Sequence, residues 1–136
     1  MTELHGRALV TDLERRFVIA HSRVEMPGGR VDLMHPENTD ALISEEDMVR
    51  DDRLPYWADV WPSSRVLARA LAGESGAGRT LLELGAGLGL ATIGAMRAGY
   101  DVLASDYYDD ALLFSRANAW RMLGREPSIR MVDWRD

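Results

Sequence analysis

Residues Thr80 to Met96, TLLELGAGLGLATIGAM, decide how the rest of the chain is placed. Thr80 to Leu84 is a short apolar run of the kind shown by a parallel strand with two covered faces, and it stops at Gly85. Gly85, Gly87 and Gly89 have no Cβ, so the backbone can take positive φ and a ligand can lie directly against the main chain, facing the free N–H groups of the next helix. The stretch predicts a buried strand, a glycine turn and a helix over Leu88 to Ala98 that Gly99 closes. Glu83 stands just before the turn, where a carboxylate is costly to bury unless something holds it. The spacing is G-x-G-x-G and not the dinucleotide fingerprint G-x-G-x-x-G, because the third small residue of that pattern falls on Leu90. A tight strand-to-helix connection with no ligand is the alternative, and the flanking sequence has to decide between the two.

At 136 residues the chain is sized for one domain. Its 46% hydrophobic and 28% charged residues are ordinary for a globular protein. A net charge of −6 with scattered arginines argues against a nucleic-acid surface, which needs clustered Lys and Arg to neutralise phosphates. There is no cysteine, hence no disulfide and no thiolate metal site. His5, His21 and His35 lack paired ligand spacing and read as surface or turn residues, so no metal is expected. The start, MTELHGRALV, has no apolar signal core, and no run approaches membrane-spanning length. The expectation is a cytoplasmic protein without membrane or nucleic-acid partners.

Downstream of the turn, Asp101 to Ser105 reads as the next strand and ends at Asp106, 21 residues after Gly85. An acid at the tip of the second strand of a β-α-β unit lies beside the glycine turn, where it can accept the hydroxyls of an adenosine ribose. Tyr107 to Asp110 opens a helix over Ala111 to Leu123 that presents Leu112, Phe114, Ala119, Trp120 and Leu123 and ends at Gly124. Ile129 to Val132 then reads as a third strand running into Asp133 and Trp134, which repeats the arrangement at Asp106. An acid or main-chain group there is placed to read an adenine edge, with Trp134 against the ring.

Upstream, LPYWADVWPSS (Leu54 to Ser64) sets Tyr56, Trp57 and Trp61 just before a helix that Pro62, Ser63 and Ser64 start and Gly73 ends. Val66, Leu67, Ala70 and Leu71 are expected to form its apolar face. Trp57 suits either a core anchor at the helix start or a site residue. Trp61 is the site candidate, since an aromatic face attracts a cationic ligand. Further back, Arg16 to Val24 and Arg30 to Met34 read as two strands around Met26-Pro27-Gly28-Gly29, a hairpin that serves as a lid or cover. The acidic stretch Glu37 to Asp52 reads as a solvated loop or short helix, and the residues before Glu14 carry no assignment beyond a short helix.

Taken together, PYWADVWPSS with VLARAL, LLELGAGLGLATI, SDYYDDALLFSRANA and VDWRD resemble the seven-strand class I S-adenosylmethionine-dependent methyltransferases, in particular their lysine methyltransferase-like group. The resemblance covers roughly Leu54 to Asp136. It implies S-adenosylmethionine as cofactor, contacted by Trp61, Gly85, Ala86, Gly87, Asp106 and Trp134, with Glu83, Gly89, Tyr107 and Asp133 as accompanying positions. The activity implied is N-methylation of a protein lysine or similar amine. Members of that family continue through a fourth strand with an acidic motif and a downstream tyrosine, then three more strands, in the order 3-2-1-4-5-7-6. The expected architecture is therefore an α/β, Rossmann-like doubly wound sheet truncated to its first three parallel strands, in order 3-2-1. Residues 1–53 are expected to form an N-terminal hairpin and acidic extension, and residues 54–136 the N-terminal half of the cofactor-binding domain.

That arrangement leaves the first strand as an unprotected edge and one sheet face bare, open to self-association or to a completing chain. It also leaves the catalytic residues unassigned, in sequence beyond this chain. The partner implied is a methyl-acceptor protein or a small amine. The competing readings are a non-catalytic S-adenosylmethionine-binding remnant or partner-completed module, and a NAD-dependent oxidoreductase, which Leu90 and the tryptophans disfavour.

Overall fold

The computed structural model describes residues 3–38, 56–133 and 135, so Trp134 and the acidic stretch beyond Asn38 lie outside the described residues. The elements run α1 (Gly6–Arg16), β1 (Ile19–Val24), β2 (Val31–Pro36), a short 3-10 turn (Tyr56–Ala58), α2 (Pro62–Ala72), β3 (Thr80–Leu84), α3 (Leu90–Arg97), β4 (Asp101–Asp106), α4 (Asp109–Leu123) and β5 (Ser128–Met131). β3, β4 and β5 form a parallel sheet in which β4 is central, while β1 and β2 pair antiparallel from Ile19 opposite Pro36 to Val24 opposite Val31. The protein is thus α/β, and its parallel sheet is compatible with part of a Rossmann-like fold. Among the described residues no helix is long and apolar enough to cross a membrane.

Each helix buries what its pattern allows. α3 is buried on every side from Leu90 to Met96, as a helix in the middle layer of a fold must be. The apolar face of the sheet beneath it pairs Leu81 with Val102, and Ala104 with Ile129, and these join Ile93 and Ala95 in one core. α4 supplies Leu112 and Phe114, both buried, and Gly124 ends it in the left-handed conformation at φ 73°. α1 packs Leu9, Val10 and Leu13 against Phe114 and Ala117 of α4. The hairpin places Val24, Val31 and Leu33 in the same core as α3.

An internal ion pair fastens the chain's first described residues. Arg116 of α4 is buried, its Nε 2.7 Å from Glu126 Oε1, while its Nη2 donates to the Leu4 carbonyl at 2.6 Å and its Nη1 lies 3.1 Å from Glu3. Burial works to raise the pKa of Glu126, but the Gly6 N–H, the Arg116 guanidinium and His5 outweigh it and hold the carboxyl below its ordinary range.

Several boundaries and faces differ from the sequence expectation. α1 extends to Arg16, so the first strand starts at Ile19 and not at Arg16, and β2 runs on to Pro36. The helix after the glycine turn starts at Leu90 and not at Leu88, because Gly89 caps it in the left-handed conformation at φ 92° and leaves Leu88 in the turn. The face expected of α2 is met only in part: Leu71 packs on the core beside the buried Ala68, whereas Val66 is 70% and Leu67 48% exposed. The reason lies in α3, where a Cβ on Gly94 would meet the Ala68 carbonyl oxygen at 2.6 Å. The two helices touch backbone to backbone, which selects the small residue and not the large ones. β3 likewise carries only one covered face, and Leu82 (59%) and Leu84 (66%) are exposed on the other.

Candidate functional site

The carboxyl ends of all three parallel strands open into one hollow of about 390 Å³, the place where open α/β sheets take ligands. β3 delivers Leu84 and the turn Gly85, Ala86 and Gly87; β4 delivers Asp106 and Tyr107; the residues after β5 deliver Val132, Asp133 and Arg135. The segment before α2 closes the remaining side with Trp57, Asp59 and Trp61.

The turn needs its glycines for different reasons. Gly85 (φ 70°) would project a Cβ into open space, which is what close approach of a ligand requires. Gly89 does not line the hollow. Its absent Cβ would lie 2.9 Å from the Ser115 Cα, so this glycine lets α4 pack onto the start of α3. Gly87 is held at both ends: its N–H donates to Asp106 Oδ2 at 2.9 Å, and its carbonyl accepts from Ser115 Oγ at 2.7 Å. Ala86 N–H donates to the Ser105 carbonyl at 2.9 Å, tying the turn to β4.

Asp106 is buried and its second oxygen accepts the Tyr108 N–H at 3.0 Å. Each carboxylate oxygen has a further acceptor position, so bracing the turn and receiving a hydroxyl from the hollow are compatible. Asp133 is arranged otherwise. Its Oδ1 takes the Arg135 main-chain N–H at 3.1 Å and the Nε at 3.0 Å, and its Oδ2 takes the Nη2 at 3.0 Å. The same guanidinium sits 5.3 Å from the centre of the Tyr107 ring. Asp133 thus carries its own counter-ion, and Asp59 and Asp106 are the other carboxylates among the described residues that line the hollow.

Trp61 is 45% exposed; its Nε1 donates to the Tyr56 carbonyl at 2.7 Å and its ring meets Tyr56 edge-on at 5.8 Å. Trp57 is buried against Phe114 at 5.6 Å, as a core anchor would be, and also borders the hollow. Glu83 does not border it. Its side chain points under α3, where Thr92 Oγ1 donates to it, and burial first, with the charge of Asp106 in addition, raises its pKa to about 7 despite that bond. The residue keeps some surface as a whole, but its carboxyl end is the enclosed part.

Of the residues singled out in the sequence, Trp61, Gly85, Ala86, Gly87, Asp106, Tyr107 and Asp133 therefore meet around one space, Glu83 and Gly89 stand behind the turn, and Trp134 lies outside the described residues. Ser115 and Asn118, which hold the turn from α4, were not singled out. Their only signal is polarity inside a helix face that is otherwise buried.

This is the construction of an α/β protein with a hollow at the ends of its parallel strands. No family model matches the chain. Over 67 residues it is 40% identical to the electron transfer flavoprotein beta subunit lysine methyltransferase of Danio rerio, a match that takes in 47% of this chain and 26% of that protein. The chain thus spans about a quarter of the relative's length, and the likeness supports a methyltransferase-like relation.

Proposed function

We propose that this chain binds S-adenosylmethionine in the hollow at the ends of β3, β4 and β5 and forms the donor side of a methyltransferase acting on an amine. The observation that carries this reading is the convergence of Gly85, Asp106 and Trp61 on one space: an open main-chain bend, a carboxylate with acceptor positions left over, and an exposed indole. These groups suit an adenosine bearing a positively charged sulfonium, with Asp106 toward the ribose hydroxyls and the Trp61 face toward the cation. Asp133 and Tyr107 are assigned to the adenine end. Glu83 supports the turn from behind, and Gly89 lets α4 close on it.

The donor, when bound, supplies a methyl group that passes from sulfur to the acceptor nitrogen as the C–S bond breaks and the nitrogen gives up a proton. This chain's own part is alignment and exclusion of water. A lysine acceptor has to be neutral to react, which costs about 4 to 5 kcal/mol at pH 7 from an ordinary pKa of about 10.4. No residue here is assigned to that proton. The name of the zebrafish relative makes a lysine of the electron transfer flavoprotein beta subunit the first acceptor to try.

Calorimetric titration with S-adenosylmethionine, S-adenosylhomocysteine and NAD tests the donor site. Binding of the first two at micromolar affinity, lost in Asp106→Ala, supports it; heat from NAD alone rejects it. A second reading is favoured by the edge of β3, which pairs with no further strand among the described residues, and by the exposed Leu82 and Leu84. In it, the chain is a donor-binding module whose second wall comes from other polypeptide, and whose transfer activity depends on it. Light scattering with a tritiated-methyl transfer assay separates the two: transfer by the monomer rejects the module.

A further inference from the structure

We infer that Asn118 is a positioning residue that joins the N-terminal hairpin to the glycine turn, so that the hairpin helps to hold the donor site in shape. The inference rests on the proposed donor site for its functional consequence, and on the following contacts for its physical basis. β2 pairs with β1 along one edge, and its other edge meets no strand among the described residues. Side chains of α4 take the place of one. Met34 N–H donates to Asn118 Oδ1 at 2.8 Å, Met34 carbonyl accepts from Asn118 Nδ2 at 3.0 Å, Asp32 carbonyl accepts from Arg121 Nη1 at 3.0 Å, and Asp32 N–H approaches Met122 Sδ at 3.3 Å. Asn118, Arg121 and Met122 are spaced to share one side of a helix.

The second hydrogen of the same Asn118 amide reaches the turn, donating to the Leu88 carbonyl at 2.9 Å. One fully buried side chain therefore bonds both the hairpin edge and the loop that precedes α3. The amide orientation is fixed by its partners, since two carbonyls demand the nitrogen and one N–H demands the oxygen. One turn earlier on α4, Ser115 grips the adjacent Gly87 carbonyl. In addition, Leu33 of β2 borders the hollow itself. A hairpin that shifted would withdraw two of the amide's bonds and leave the third misaligned, in a place where water cannot replace it.

The test is native-state amide hydrogen exchange on the unliganded protein, followed by calorimetry with S-adenosylhomocysteine on wild type and Asn118→Leu at a temperature where both are folded. Coupling predicts that in wild type the Met34 and Gly87 N–H groups open as one unit, with the same denaturant dependence. It further predicts that Asn118→Leu splits them into two units and weakens binding about tenfold, whereas Arg15→Ala, an exposed change on α1, leaves binding within about twofold. Independent opening of the two amides in wild type overturns the inference, and does so even where Asn118→Leu fails to fold. Unchanged affinity in a folded Asn118→Leu overturns it as well. Joint opening in a wild type that binds neither donor nor product upholds the coupling and rejects the donor reading.

Discussion

On one side of the hollow the bend Gly85 to Gly89 is gripped through its own main chain, by Asp106, Ser115, Asn118 and the Ser105 carbonyl. On the other side, Trp61 and the pair Asp133–Arg135 rely on side-chain contacts at or near the surface. The first wall is made of buried polar groups with matched partners, each of which is expensive to orphan; the second is made of groups that water can replace. A ligand that fits both meets a rigid floor and an adjustable rim. Changes in the floor should therefore be read mainly in stability, and changes in the rim mainly in affinity.

The sharpest way to break that contrast is Gly89→Ala. It forces a Cβ into the 2.9 Å approach to Ser115 at a φ of 92°, and thermal denaturation is expected to show a loss of about 3 to 4 kcal/mol. Asp106→Ala orphans the Gly87 and Tyr108 N–H groups and is expected to cost about 2 to 3 kcal/mol, with donor binding lost in the same protein. Glu83 acts in the opposite direction. Its folded pKa of about 7 lies above the ordinary value of 4.5, so its contribution is intact below pH 4.5 and is lost as pH rises to 7 and beyond. Glu83→Gln should accordingly stabilise the protein at pH 8 by about 1 to 2 kcal/mol, and urea titrations should show the gain shrinking toward pH 4.5. The smallest stability effects belong to the rim. Trp61→Ala is expected to stay within about 1 kcal/mol of wild type in stability while weakening S-adenosylmethionine more than S-adenosylhomocysteine, because only the former is cationic. Arg135→Ala should move stability by no more than about 0.5 kcal/mol. A rim variant that unfolds the protein, or a floor variant that leaves it as stable as before, erases the distinction.

How much of this was legible in the sequence follows the same division. The glycine turn, the strand that precedes it and the acid at the tip of the next strand are local patterns, and the hairpin announced itself by Pro27, Gly28 and Gly29 between two alternating runs. What stayed hidden were choices of partner. Composition made Val66 and Leu67 the natural inner face of α2, but a backbone contact between Ala68 and Gly94 turned that face outward. Nothing periodic marks Asn118, which is separated from Met34 by 84 positions in the chain and meets it only when α4 lies along β2. The distinct duties of Gly85 and Gly89 were equally invisible, since both are simply glycines until Ser115 is put beside one of them. Glu83 and Asp106 looked like two acids of one site, and the alternation of a strand sends the first of them under the helices.

The buried guanidinium of Arg116 has a practical corollary at the other end of the molecule. Because it is bonded by Leu4, Glu3 and Glu126, the segment 3–5 is stitched across the junction of α4 and β5 and belongs to the folded body. Replacing Glu3 and His5 by alanine should strip a sequestered cation of part of its ligands, and urea titration is expected to show the loss as reduced stability of the whole body.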